Sequence, residues 1–406
     1  RMFVHPPPPG PAGRANTEEP LSRRLARHTS RRRRVAWLYE SPDTSTFRYR
    51  VQNMIEGLLA DEALDVSATW FSAQELSALE SVLPKIDVLV IARYRYSAEL
   101  HRVVLRARNL GTRILFDCDD LVFDTRYAAL VADTLAQDLR STAIWDFWFA
   151  YMGRLNATAR LCDAGIATNP FLAARLHEAL EGKPVHVVPN FLNREQQAYS
   201  RTLVNAKRAN RWARKGAVTI GYFSGSPSHN KDFAVAAPAI ARLLERRSDV
   251  RLRIAGYLDA LGPVGKHAQR VEMLPLMGYV ELQRAVAEVE INIAPLQENT
   301  FTHCKSELKY FEAAAVGSWT IATPTSTFKA AIYPDGSTGR LASAYEWDEA
   351  LEEAVELALC PADYVKRAEG AAHSAHERYG WDGYSHTICA ALFDAQAVER
   401  PTDLAA

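Results

Sequence analysis

Cysteine is scarce in this chain. Cys118, Cys162, Cys304, Cys360 and Cys389 are scattered over 406 residues. None forms a C-x-x-C pair, and free thiols in a reducing cytoplasm are expected. The eleven histidines show no H-x-x-x-H spacing, and no zinc site is expected. No run of 18 apolar residues is present, which excludes a spanning helix. Net charge is also absent, at a formal zero, but it is unevenly placed. Residues 1–34 hold nine Arg against Glu18 and Glu19, a net +7, leaving −7 on the remainder. An acidic body with its basic charge in one tail argues against nucleic acid as a partner.

That tail, with Pro6–Pro9 and few apolar residues, is expected to be disordered over 1–34. It lacks the apolar core of a secretory signal. Arg31–Arg34 abuts the first strand and is a candidate contact for anionic lipid or nucleic acid; the lipid contact gives a cytoplasmic protein that touches the inner face of a membrane. A solubilising segment is the alternative.

From residue 35 the chain alternates short apolar runs with segments of helical period. Strands are expected at 35–39, 66–71, 88–92, 113–117, 165–168 and 185–188. After a polar, basic stretch the pattern restarts, with strands at 218–223, 251–255, 271–274, 291–294 and 320–322. Buried strands alternating with helices predict α/β architecture with two doubly wound parallel sheets. The domains are placed at 35–195 and 217–375, joined by a linker at 196–216, with a C-terminal helix at 376–395 crossing back and a tail at 396–406. Ligands of such sheets lie at the carboxyl ends of the strands.

The segment from Ile291 to Pro324 reads as strand, loop, helix, Gly turn and strand. On its helix Lys305, Lys309 and Glu312 stand at i, i+4 and i+7 and share a face. Two cations and a carboxylate suit a phosphate and a sugar diol; spacing alone equally suits a solvated face. FDCDDLVFD (116–124) ends the fourth strand. Asp119 and Asp120 are candidates to accept hydrogen bonds from hydroxyl groups or to cap a helix. The aromatic run IWDFWFAYM (144–152) suits either the core or a sugar or lipid surface.

Several blocks of the second half, in order, resemble the donor domain of GT-B glycosyltransferases of the retaining family 4 class, the glycosyl transferases group 1. They are GYFSGSPSHNKDF (221–233), VRLRIAGY (250–257), the stretch NIAPLQENTFTHCKSELKYFEAAAVGSWTIATP (292–324), IYPDGSTGRL (332–341) and YEWDEAL (345–351). VHVVPNFLN (185–193) resembles the end of that family's N-terminal domain. The resemblance implies two Rossmann-like domains facing a cleft and transfer of a sugar from a nucleoside diphosphate sugar to an acceptor hydroxyl, with retention, in glycan or polysaccharide biosynthesis. It also implies no cofactor and no metal. It places Gly225, Ser226 and Lys231 at the phosphates, where Ser226 replaces a usual Arg. Lys305, preferred for lying nearer the helix start, or Lys309 then supplies the second cation, with Ser306 beside them. Glu312 is placed on the ribose hydroxyls. The family's first signature Glu is Cys304 here, so Glu298 or Asn299 is expected to reach the donor sugar. Lys231, Glu312, Asp119 and Asp120 are the catalytic candidates. Arg48, Arg50 and Asn190 are expected on the acceptor or phosphate side. The acceptor is a glycan or a lipid-linked glycan. A catalytically silent sugar-binding protein and a sugar-nucleotide epimerase remain as alternatives.

Overall fold

The computed structural model describes residues 19–42, 45–225 and 229–393. Its strands form two parallel six-stranded sheets. The first contains β1 (Arg33–Leu38), β2 (Val66–Phe71), β3 (Val88–Ala92), β4 (Arg113–Cys118), β5 (Ala164–Ala167) and β6 (Val185–Val187), in the order β2-β1-β3-β4-β5-β6. The second contains β7 (Val218–Ser224), β8 (Val250–Gly256), β9 (Val271–Leu274), β10 (Ile291–Ala294), β11 (Trp319–Ala322) and β12 (Gly339–Leu341), in the order β12-β11-β10-β7-β8-β9. Central strands such as β3 and β10 are buried along their whole length, as helices on both faces of a parallel sheet require. Strand order reverses between β1 and β3 and between β7 and β10, and each reversal opens a crevice at the carboxyl edge. β12 is a three-residue edge strand whose Gly-Arg-Leu sequence carries no apolar pattern, and sequence periodicity does not find it.

Three segments differ from expectation. Part of the supposedly disordered tail is the helix Leu21–His28; residues 1–18 lie outside the described residues. Its Arg24 is 3% exposed, donates to the Trp70 carbonyl at 2.5 Å and Glu75 Oε1 at 2.6 Å, and lies 3.7 Å over the Trp70 ring. An Arg whose stem and head both find partners is a packing residue. The adjoining Arg run is also paired, Arg31 with Glu62 at 3.7 Å and Arg32 with Asp65 at 3.8 Å.

The linker at 196–216 is largely the helix Arg194–Ala209. It is anchored by buried Lys207, whose ammonium donates to the Val316 carbonyl at 2.7 Å. At the C-terminus, the helix Pro361–Arg378 runs past residue 376, and the crossing is made at 379–384. The helix Ser385–Phe393 then lies on the first half. There Arg113 Nη1 reaches the Leu392 carbonyl at 3.0 Å. Gly57 gives the room, because a Cβ there would stand 2.8 Å from Phe191 and 3.2 Å from Ile388.

Arg50 and Asn190 are core residues rather than ligand contacts. Arg50 is fully buried and forms a bidentate pair with Asp117, at 2.9 Å from Nε to Oδ1 and 2.8 Å from Nη2 to Oδ2. Its Nη1 donates to the Val188 carbonyl at 2.9 Å and to Asn190 Oδ1 at 3.1 Å. Burial pushes the Asp117 carboxyl up from its usual range, and Arg50 opposes that shift. Four of its five N–H donors are used in this way, and at 0% exposure the head is out of reach of a phosphate in the cleft.

Replacing one member of this pair strands the other charge in the core. Arg50→Leu is expected to lower unfolding free energy by about 3–5 kcal/mol, while Arg50→Leu with Asp117→Leu recovers most of it. Urea unfolding of the three proteins checks this, and equal loss in the single and double variants would contradict it.

Candidate functional site

Between the carboxyl edges of the two sheets lies a cavity of about 130 Å³. Arg48 and Tyr49 line it from the first half. Ser224, Gly225, Gly256, Asn292, Lys309 and Glu312 line it from the second. The first pair is positioned by a π-helical turn, Arg48–Gln52, in the helical segment after β1. A wide turn of this kind re-aims successive side chains. Here Arg48 and Tyr49 face the cavity while Arg50 enters the core. Gly256 ends β8 with φ +91°, and a Cβ there would overlap the Ser224 carbonyl, so only glycine fits.

Glu312 stands on the helix Leu308–Ala314 and is 8% exposed. The Tyr49 hydroxyl donates to its Oε1. Burial raises the Glu312 carboxyl, and Arg48, Tyr49, Gln196 and Lys309 act to keep it ionised. Lys309 is one turn earlier, its ammonium 5.3 Å from the centre of the Tyr222 ring. Desolvation lowers its pKa to about 8; Asp232 and Glu312 act against this and Lys305 adds to it. Arg48 is 6% exposed; it donates to Gln196 Oε1 at 3.3 Å and is sandwiched by the rings of Tyr49 at 4.3 Å and Tyr279 at 4.2 Å. Among the described residues neither Lys309 nor Arg48 has a carboxylate within ion-pair distance. Two desolvated cations without counter-ions, beside a carboxylate, make a site for an anion that also carries hydroxyl donors.

The other predicted residues are placed differently. Lys305 is not on the Glu312 helix: it follows the short helix Thr300–His303 and its ammonium lies 3.5 Å from Asp120 Oδ1. The i, i+4, i+7 face is therefore broken, and of the two lysines Lys309 is the one with no ion pair among the described residues. Lys231, in the first turn of the helix Asn230–Arg246, reaches across to Asp133, 2.8 Å from both its carbonyl and its Oδ1. Ser306 donates to neighbouring Glu307 at 3.4 Å. Glu298 is 3.8 Å from His303. Asn299 caps the helix Thr300–His303 and donates to Thr134 Oγ1 at 3.0 Å. None of these five lines the cavity, whereas Gly225 does. Ser226 lies outside the described residues. Cys304 is buried, with its carbonyl accepting from Asn169 at 2.8 Å.

Asp119 and Asp120 converge on Arg93, at 2.9 Å and 3.5 Å from its Nη1. Thr46 also donates to Asp119 at 3.0 Å. Although burial opposes it, the Asp119 carboxyl is held below its usual range by Arg93 and Arg50. Periodicity and spacing miss Arg93, which follows β3 in the left-handed region at φ +43°. They also miss Tyr49, Asp133 and Asp232. Asp232, 2% exposed, bonds His229 at 2.9 Å and the Gln297 amide at 3.0 Å. Only Tyr49 had a signal, its place in the loop after β1. The others act through residues far away in the chain.

Comparison with known proteins follows this geometry. Residues 217–360 match the family described as Glycosyl transferases group 1. Among curated proteins no match is found. Among solved structures the chain is similar to sucrose-phosphate synthase from Thermosynechococcus elongatus, at 14% identity and TM-score 0.58, covering 88% of this chain and 98% of that one. It is also similar to a UDP-forming trehalose-phosphate synthase from Burkholderia xenovorans, at 10% identity and TM-score 0.57, covering 90% and 100%. HepE of Anabaena, solved in complex with UDP, gives 12% identity and TM-score 0.56 over 87% and 98%. At such identities the likeness is one of fold, and the fold is GT-B.

Two outcomes are expected with inorganic pyrophosphate as probe. An anion against Lys309 raises its pKa from about 8 back toward the free value, so binding takes up a proton and affinity falls as pH rises above about 8, by up to about tenfold per pH unit. Calorimetry in buffers of different ionisation enthalpy reads the proton, and Lys309→Met removes it. Freeing Lys231 with Asp133→Asn is expected to tighten binding by up to about fivefold, the range of an exposed ion pair; weaker binding would show that Asp133 assists instead.

Proposed function

On a GT-B chain whose residues 217–360 carry a glycosyl transferases group 1 domain, we propose a glycosyltransferase that moves a sugar from a nucleoside diphosphate sugar to an acceptor hydroxyl with retention of configuration. The observation that carries this reading is Glu312, an almost wholly buried carboxylate on the cavity wall beside the unpaired cations Lys309 and Arg48. A carboxylate offers two acceptor oxygens to a ribose diol, and the ribose replaces the Tyr49 hydroxyl. The diphosphate lies against Lys309, Arg48 and the Gly225 backbone. Lys231 and Lys305 join it as it displaces Asp133 and Asp120. UDP in HepE and TarM, and UDP-glucose in HepE, support uridine as the first base to test.

The chemistry is electrostatic. As the glycosidic bond breaks, negative charge grows on the departing diphosphate, and fixed cations in a desolvated site stabilise it. The acceptor hydroxyl attacks from the same face through an oxocarbenium-like transition state and passes its proton to the leaving phosphate. No metal is required by this scheme. Asp119 and Asp120 orient the acceptor from the first half. Among the described residues no helix is long and apolar enough to cross a membrane. We place the enzyme in the cytoplasm, in glycan or polysaccharide assembly. A catalytically silent sugar-binding protein is the second reading, favoured by Cys304 at the position of the family's first signature Glu.

A thermal-shift and calorimetric screen of UDP-, GDP-, ADP- and dTDP-sugars tests the proposal. One nucleotide class is expected to stabilise the protein, by about 2.7 kcal/mol at a hundredfold excess over its dissociation constant. Glu312→Ala is expected to weaken that class by about tenfold to a hundredfold, the worth of hydrogen bonds to a charged acceptor. Equal affinity in the variant defeats the assignment of Glu312. No nucleoside diphosphate release, with or without an added acceptor, selects the silent reading.

A further inference from the structure

The helix Thr142–Arg160 carries aromatic rings that sugar transfer, as described, leaves unused. Phe147 and Phe149 are each 51% exposed, while Trp148 between them is buried at 8%. Neighbours two apart lie about 200° apart on a helix, so these rings occupy opposite flanks and do not form one apolar face. The Phe149 flank holds Trp145, whose indole N–H is used on the Leu139 carbonyl at 3.0 Å. The Phe147 flank is linked by a chain of contacts to Lys305 of the second half. Phe147 is stacked with Tyr151, one turn on, at 5.6 Å between centroids and 11° between planes. The Tyr151 hydroxyl accepts from Arg93 Nε at 2.9 Å, and the same guanidinium holds Asp119 and Asp120. Asp120 in turn meets Lys305 of the donor half at 3.5 Å.

Arg93 holds these groups together from a left-handed backbone, its φ of +43° being unfavourable for a residue with a Cβ. The cluster is accessible, since the Arg93, Asp119 and Asp120 side chains retain 20%, 16% and 23% exposure. Without a donor it is also neutral, Arg93 and Lys305 balancing the two carboxylates, and donor binding that draws Lys305 away leaves a net negative charge. An exposed aromatic face beside ionised carboxylates matches a sugar ring, whose C–H face stacks while its hydroxyls donate. A phosphate or lipid headgroup would meet two like charges instead.

We propose that Phe147, Tyr151, Arg93, Asp119 and Asp120 form an acceptor subsite for a neutral oligosaccharide. Its terminal residue lies at the aspartates and a further ring stacks on Phe147. This rests on the transferase reading and narrows its acceptor to neutral carbohydrate.

Saturation-transfer NMR tests it, with maltotriose, cellotriose, laminaritriose and chitotriose as probes, each with and without UDP, on wild type, Phe147→Ala and Phe149→Ala. At least one trisaccharide is expected to bind wild type. Phe147→Ala is expected to weaken it by about fivefold to tenfold, the worth of one aromatic contact, with UDP affinity the same in both proteins. Phe149→Ala, on the far flank, is expected to bind as wild type does. Three results overturn the subsite while leaving donor binding intact: UDP binds but no trisaccharide does; Phe147→Ala binds as tightly as wild type; or both Phe variants lose only capture by phosphatidylglycerol vesicles, which marks a lipid surface. Failure of UDP and every other donor to bind counts against the transferase reading itself.

Discussion

The buried ion pair between Arg50 and Asp117 is the constraint on which the cleft depends. Removing two charges from water is unfavourable by several kcal/mol per ion unless geometry and further hydrogen bonds compensate. Here the pair is bidentate, and the remaining guanidinium donors meet Val188 and Asn190. The placement of that pair fixes what stands beside it in sequence. With Arg50 in the core, Arg48 and Tyr49 are turned to the cavity. With Asp117 held at the end of β4, Asp119 and Asp120 follow at the crevice mouth. Asn190 ties the same network to the segment that leads out of the first half.

The cleft itself is organised by charge exchanged between halves. Lys231 meets Asp133, Lys305 meets Asp120, and Tyr49 meets Glu312. Each contact joins a residue of the donor half to a partner of the first half. A donor with a diphosphate and a ribose offers the same chemistry, anion for the lysines and hydroxyl for the carboxylate. In the proposed function the donor meets these same groups, while among the described residues Lys309 and Arg48 have no carboxylate within ion-pair distance. The lowered pKa of Lys309 and the raised one of Glu312 share a cause, since both are desolvated on the same helix.

Tail and linker show where composition misleads. Residues 19–34 look like solvated chain because their charges are counted as if in water. Arg24 instead lies over Trp70 and bonds Glu75, so its apolar stem and its charge are both satisfied. The stretch at 196–216 looks like a linker because it is basic and polar. Yet Gln196, Ser200 and Lys207 are fully buried on one side of the helix Arg194–Ala209, the side that seats against the second half. Polarity does not mean exposure where hydrogen bonds replace water.

Local pattern alone was enough for the two parallel sheets, because strand runs such as Val88–Ala92 and helical period depend on near neighbours. The order of the donor-side blocks was enough for GT-B, and Glu312 and Gly225, chosen within it, both line the cavity. The same sequence could not place Lys305 against Asp120, Lys231 against Asp133 or Arg93 between two aspartates, because each pairing joins residues far apart in the chain. Nor could it tell that Arg48 faces a cavity and Arg50 the core. That choice turns on one π-helical turn and on a carboxylate 67 residues away. Strands and helices are decided by forces within a few residues, whereas burial and ion pairing are decided by which surfaces meet, and only the folded chain brings those surfaces together.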